Sequence, residues 1–288
     1  MTTDDQPNIK IALTFDFDTY TNWIGSVGAC SPSMISRGEF GPIGLRRILA
    51  LLAEYNARAT FFIPGATAVS YPRAVMAIRE KDHEIGHHGW IHENPADLSL
   101  EEESRVLERG IAALEKVAQV RPVGYRSPSW DNSHNTVSLL LEYGFEYESS
   151  LMGNDFEPYW CRIGDNWSTN EPIEFGTPTT LVEMPVAWHL DDWPWFEFIP
   201  GHAQGLRSPT MVLDIWKMEF DYLYHAVGQG VLTITMHPQC IGRGHRLMML
   251  KEFLDYVELH SGVCFTTCIN YVRDWRVGKT PSYPMDVG

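Results

Sequence analysis

The sequence predicts an α/β fold, a (β/α) barrel within a single domain, from the alternation of its apolar patterns and from its length. Eight short apolar runs, near residues 9–17, 59–63, 83–88, 123–127, 145–149, 181–186, 231–236 and 263–266, have the length of buried strands. Amphipathic stretches near 42–56, 67–81, 100–118, 133–143, 209–229 and 245–261 repeat apolar residues at three- and four-residue steps, the helical spacing. Strands separated by helices of this kind build a parallel sheet, and 288 residues suffice to enclose one such core. Ser99 ahead of Leu100-Glu101-Glu102 has the form of a capping box, and Ser208-Pro209 marks another helix start. Two connections, 150–180 and 187–208, exceed the usual two to six residues and are rich in Trp, Tyr, Phe and Pro. Aromatic loops of this length either shape a pocket or pack as ordinary cover. The core is expected over about 8–275, with the tail after Trp275 a surface extension.

Composition excludes several functions. Asp and Glu number 37 against 22 Lys and Arg, for a net charge of -15, so a phosphate-backbone or anionic-membrane partner finds no clustered cations. The start M-T-T-D-D-Q-P is acidic and lacks the basic and apolar segments of a secretory signal, which leads us to expect a cytoplasmic protein. No run reaches the roughly 18 apolar residues of a membrane span. The five cysteines, Cys30, Cys161, Cys240, Cys264 and Cys268, suit reduced thiols better than a disulfide framework. Cys264 and Cys268 sit close enough in sequence to be weighed as a metal pair, a minor reading beside two free thiols.

Five polar islands lie where apolar runs stop, and in a (β/α) barrel such strand ends build the active site. Asp16 and Asp18 stand two apart on an extended segment, so both carboxylates can face one site, one to bind a cation and the other to accept a proton. Alone, such a pair more often caps a turn. His88 and His92 are four apart, a chelating spacing, and with a carboxylate from another strand they suit a divalent ion with one open position. An open position activates water and points to hydrolysis. The overlapping His83-Glu84-Ile85-Gly86-His87 matches H-E-x-x-H, but Gly86 and Gly89 interrupt the helix that motif requires, leaving Glu84 a structural acid. Arg126, in R-S-P-S-W, can orient a carboxylate, and Asp191 or Asp192 in D-D-W is the expected partner. His237, in M-H-P after a β-branched run, can protonate a leaving nitrogen if a carboxylate tunes it.

These five motifs, in this order over roughly residues 8–275, resemble the polysaccharide deacetylase, NodB-homology or carbohydrate esterase family four. The resemblance implies a distorted (β/α) barrel of seven or eight strands and a divalent metal, most often zinc, with cobalt, manganese, nickel and iron as alternatives. It implies Asp16 as general base, Asp18, His88 and His92 as metal ligands, and His237 as general acid. It sets Arg126 against the base, assisted by an acid of D-D-W, foremost Asp192. A backbone N–H at Ser129 is the expected oxyanion donor, and Trp130, Trp188, Asp191, Trp193 and Thr235 are further substrate-pocket candidates. Two positions depart from the family pattern: Gly89 follows the first histidine, and Thr235 stands where a leucine walls an acetyl pocket. With H-E-N-P at 92–95 and N-D-F-E-P-Y at 154–159, they resemble the subgroup of intracellular peptidoglycan-deacetylase-like proteins, cyclic imide hydrolases and allantoinases. The expected cytoplasmic location leads us to expect a small soluble amide or cyclic imide as substrate, with an N-acetylated saccharide, stacked on tryptophan, as the alternative. A non-heme iron oxygenase shares the two-histidine, one-carboxylate set and is the distant reading, as is a barrel kept as a scaffold. A homo-oligomer, dimer or tetramer, is expected.

Overall fold

The computed structural model describes residues 7–201 and 203–283. Its strands are β1 (Asn8–Asp16), β2 (Thr60–Ile63), β3 (Glu84–His87), β4 (Gly124–Tyr125), β5 (Tyr147–Glu148), β6 (Tyr159–Ile163), β7 (Thr177–Glu183), β8 (Phe198–Ile199), β9 (Ala203–Gln204), β10 (Gln229–Met236) and β11 (Val263–Thr266). All eight apolar runs form strands of one sheet, running β10-β1-β2-β3-β4-β5-β7-β6 with β11 also on β1. Every pairing is parallel except β6 with β7. Among the described residues β10 and β6 do not pair, so the sheet curls without closing, a half-barrel.

β1 is the axis of this arrangement. β10 follows it along one edge from Asn8↔Gln229 to Phe15↔Met236. The other edge is shared: β11 takes Ile9 to Ala12, and β2 takes Thr14 to Asp16. Covered on both faces, β1 reads as an apolar run because side chains of either parity are buried. Phe15 stacks on Phe61 of β2 with ring centroids 4.9 Å apart, fixing the end of β1 that leads into Asp16 and Asp18.

The helices follow the expected pattern with local refinements. Leu100–Ala118 begins with both halves of its capping box, Ser99 and Glu102 each bonding the other's backbone. The stretch expected over 67–81 divides at Tyr71-Pro72 into Gly65–Ser70 and Pro72–Arg79, since proline withholds the N–H that would continue the first helix. The stretch from 209 runs as Pro209–Tyr222 and then widens into a π-helical turn, Leu223–Val227. The long aromatic connections contain the antiparallel strand β6 and the β8–β9 hairpin. Cys264 lies on β11 against Lys10 Nζ, whereas Cys268 is buried at the start of a helix, and among the described residues neither joins a cluster of three or more potential metal ligands.

Candidate active site

Four islands emerge from the C-terminal ends of β1, β3, β4 and β10, and the fifth reaches the same end because Asp191 bridges Thr235 of β10. The parallel sheet therefore gathers residues up to 221 positions apart at one rim.

Asp18, His88 and His92 are all buried, and their donor atoms lie within 4.8 Å of one another. His88 Nε2 stands 3.4 Å from Asp18 Oδ1, and His92 Nε2 stands 3.8 Å from Asp18 Oδ2. Two donors each about 2.1 Å from a tetrahedral ion are separated by about 3.4 Å, so this spacing suits a shared cation. The tautomers agree. His88 Nδ1 donates to the Arg126 carbonyl at 2.8 Å, and His92 Nδ1 lies 2.6 Å from Ser26 Oγ, whose own hydrogen can pass to the His92 carbonyl at 3.0 Å; with hydrogens on both Nδ1 atoms, both Nε2 lone pairs face Asp18. Asp18 Oδ1 and His88 Nε2 are buried without a hydrogen-bond partner, a costly state that a cation would relieve. Burial pushes the Asp18 carboxyl up to about 8, against the pull of charged His237, and drives His88 down to about 3. Burial also holds His92 well below the ordinary imidazole value. Neutral imidazoles are the ligating form, and a bound cation would restore the carboxylate.

The loop carrying the histidines is held by close approaches. Gly89 has φ +71° and lies against Pro128, so the left-handed backbone explains glycine at this position. His92 itself has φ +65°, a strained conformation at a buried position. A Cβ on Gly25 would meet the Ile91 carbonyl at 2.0 Å, so the Thr21–Gly25 helix packs directly on the loop's backbone.

Arg126 is fully buried and donates four hydrogen bonds. Its Nη1 reaches Asp16 Oδ1 and Thr14 Oγ1, both at 2.9 Å, while Nε and Nη2 hold the Ser149 carbonyl and hydroxyl, both at 3.0 Å. Phe62 lies under the guanidinium at 4.3 Å. The expected pairing of Arg126 with Asp191 or Asp192 is therefore corrected: its partner is Asp16, which shares the β1 end it faces. Asp192 instead accepts from His237 Nδ1 at 2.7 Å and from the His237 backbone N–H at 3.1 Å. Burial disfavours charge on His237, but Asp191 and Asp192 together outweigh it and raise its pKa well above the ordinary value. Its Nε2 lies 3.9 Å from Asp16 Oδ2 and 3.7 Å from Asp18 Oδ2.

A cleft of about 170 Å³ opens over these groups, walled by Ser129, Trp130, Trp188, Asp191 and Trp193 among others. Trp130 and Trp188 lie with centroids 4.4 Å apart, and Trp193 packs between Trp23 and His237. Ser129 and Trp130 both have positive φ, near +59° and +53°, which bends R-S-P-S-W over the rim. Thr235, expected in the substrate wall, is not among the cleft residues. It is buried, with its hydroxyl 3.2 Å from Thr14 Oγ1, and so belongs to the Arg126 network. The rejected H-E-x-x-H reading has a direct structural counterpart: Glu84 accepts from Thr60, Tyr147 and Ile269 N, and His87 bonds the Leu107 carbonyl. Sequence reasoning missed Ser26, Thr14 and Ser149, whose hydroxyls orient the charged groups without any motif of their own.

Residues 3–148 match the Polysaccharide deacetylase family model, and a Helicobacter pylori peptidoglycan deacetylase is 35% identical over 95% of this chain and 98% of that protein. The chain belongs to the polysaccharide deacetylase family. It is accordingly a hydrolase of carbon–nitrogen bonds other than peptide bonds. A solved Mycobacterium smegmatis structure assigned to the polysaccharide deacetylases is 33% identical, with a TM-score of 0.86 over 100% of this chain and 97% of the other. An allantoinase structure at 24% identity shares the fold, with a TM-score of 0.77 over 94% of this chain and 91% of that one.

Proposed function

We propose that the protein is a metal-dependent deacetylase that removes the acetyl group from an N-acetylated saccharide. The observation that carries this is the buried Asp18–His88–His92 set, with unpartnered lone pairs, lying between Asp16 and His237. The whole-length similarity to a peptidoglycan deacetylase supports the substrate class. A divalent ion held by these three would polarise the amide carbonyl and lower the pKa of water toward neutrality.

The chain's own residues supply the proton transfers and the positioning. Asp16 presents Oδ2 to the cleft while Arg126 holds Oδ1, so one carboxylate oxygen is fixed and the other is free to take a proton from the attacking water. Asp192 orients His237, and Asp191 together with Asp192 keeps it charged, so that Nε2 can deliver a proton to the departing amine. Trp130, Trp188 and Trp193 offer apolar faces on which a sugar ring can stack. Zinc is the favoured ion for one carboxylate and two imidazoles. An oxygenase would use the same donors, but it needs no acid–base pair of this kind.

One observation favours a second substrate class. The cleft's 170 Å³ is small beside ordinary ligand pockets, which suits a compact amide or cyclic imide. Zinc-loaded protein assayed against N-acetylglucosamine oligomers, peptidoglycan fragments, succinimide-type imides and ureides separates the two. Acetate release from the glycans supports the proposal, and ring opening of imides without acetate release overturns it.

A further inference from the structure

On the outer surface, away from the cleft, two helix ends bring together a carboxylate and two imidazoles that the hydrolysis does not use. We propose that Asp221, His225 and His260 form a second divalent-metal site, one that joins the end of helix Pro209–Tyr222 to the end of helix Gly244–Glu258. Their donor atoms lie within 4.8 Å of one another. Asp221 and His225 are four apart where the first helix passes into its π-helical turn, which sets both on one face. His260 follows the second helix by two residues.

One residue orients two of the three donors. The Tyr256 hydroxyl donates to Asp221 Oδ1 at 2.6 Å, and the Tyr256 carbonyl accepts from His260 Nδ1 at 3.0 Å. A carbonyl can only accept, so Nδ1 carries the hydrogen and His260 Nε2 keeps its lone pair for an ion. The His260 ring is fixed by edge contacts to Phe220, Tyr224 and Tyr256, with centroids 4.8 to 5.0 Å away. Carbonyl-held imidazole and hydrogen-bonded carboxylate are the outer-shell partners that metal ligands ordinarily have. His225 is exposed, so an ion enters from solvent and keeps an outward coordination position. One carboxylate and two imidazoles select late first-row divalent ions, zinc, nickel, cobalt or copper, over magnesium and calcium, which demand oxygen.

The test separates this site from the cleft. In the full-length His88→Ala/His92→Ala protein, titration with Zn²⁺ by equilibrium dialysis is expected to give one ion per chain, with a rise in Tm. Adding His225→Ala/His260→Ala removes that ion and the rise, and Tyr256→Phe weakens binding on the order of 10- to 100-fold. In an otherwise unaltered chain, His225→Ala/His260→Ala lowers the stoichiometry from two to one and leaves hydrolysis in place, a readout that holds even if the cleft variant folds poorly. No bound ion at millimolar Zn²⁺ in the His88→Ala/His92→Ala protein with its fold intact, or an unchanged stoichiometry after loss of His225 and His260, overturns the proposal.

Discussion

Two buried groups of carboxylate and imidazole stand side by side at the rim, and they do opposite things. In Asp18–His88–His92 the Nδ1 atoms are turned to the Arg126 carbonyl and to Ser26, so both Nε2 atoms converge on the Asp18 carboxylate. In Asp191–Asp192–His237 the donor atoms are equally close, but Asp192 takes the Nδ1 hydrogen directly and the pair of acids keeps the ring charged. The first group suits a cation and the second holds a proton. Proximity and burial are common to both; what separates them is whether the partner of each ring is an uncharged oxygen or a carboxylate.

The sharpest way to break this contrast is to remove a member of the first group. Asp18→Asn, or His88→Ala, is expected to abolish metal retention, measured by elemental analysis, and to lower turnover by about 10³-fold or more. Retained ion and rate in either variant would dissolve the distinction between the groups. A smaller effect is expected in the second group. His237→Ala should slow turnover by roughly 10²- to 10⁴-fold with metal content unchanged. Asp192→Asn should move the alkaline limb of the pH–rate profile to lower pH, because a ring no longer facing that charge gives up its proton sooner.

The smallest effect sharpens the contrast with a third ring. His87 is the neighbour of His88 but packs under helix Leu100–Ala118, where burial drives its pKa down to about 4. Its folded value lies below the unfolded value near 6.5, so its contribution is present above pH 6.5 and is lost as pH falls toward 4. The slope is at most about 1.4 kcal/mol per pH unit for one ring. Denaturant unfolding between pH 7 and pH 4.5 should show this loss, and His87→Leu should make it shallower; an unchanged slope would remove His87 from the account.

Much of this molecule was legible in its residues, for identifiable reasons. The eight strand runs stand out because parallel strands are covered on both faces and admit few polar residues. β6 escaped because it lies within an aromatic connection, antiparallel and partly exposed at the sheet's far edge, where no uninterrupted apolar pattern is required. The curl without closure was also hidden, since strand order over such separations is a property of packing. In the site, His88 and His92 were readable because chelating spacing is local, and the strand-end rule brought in the pair Asp16 and Asp18, of which the family resemblance singled out Asp18 as the ligand. Residue types alone paired Arg126 with Asp191 or Asp192, because three acids reach the same rim and sequence cannot rank them by distance, whereas the family resemblance set it against Asp16, which lies on the strand that Arg126 crosses to bond Thr14. Ser26 carried no signal at all, since a single hydroxyl that meets the ring and the carbonyl of His92 leaves no pattern in the sequence.

The contact between Gly25 and the Ile91 carbonyl has a consequence for variation in this protein. No side chain fits at position 25 without pushing the 88–92 segment outward, and His92 is the residue that would travel. A mutational scan scored on turnover should therefore find position 25 nearly as intolerant as a ligand, although a glycine there has no group to offer any substrate. Intolerance at that position would record the thickness of a backbone.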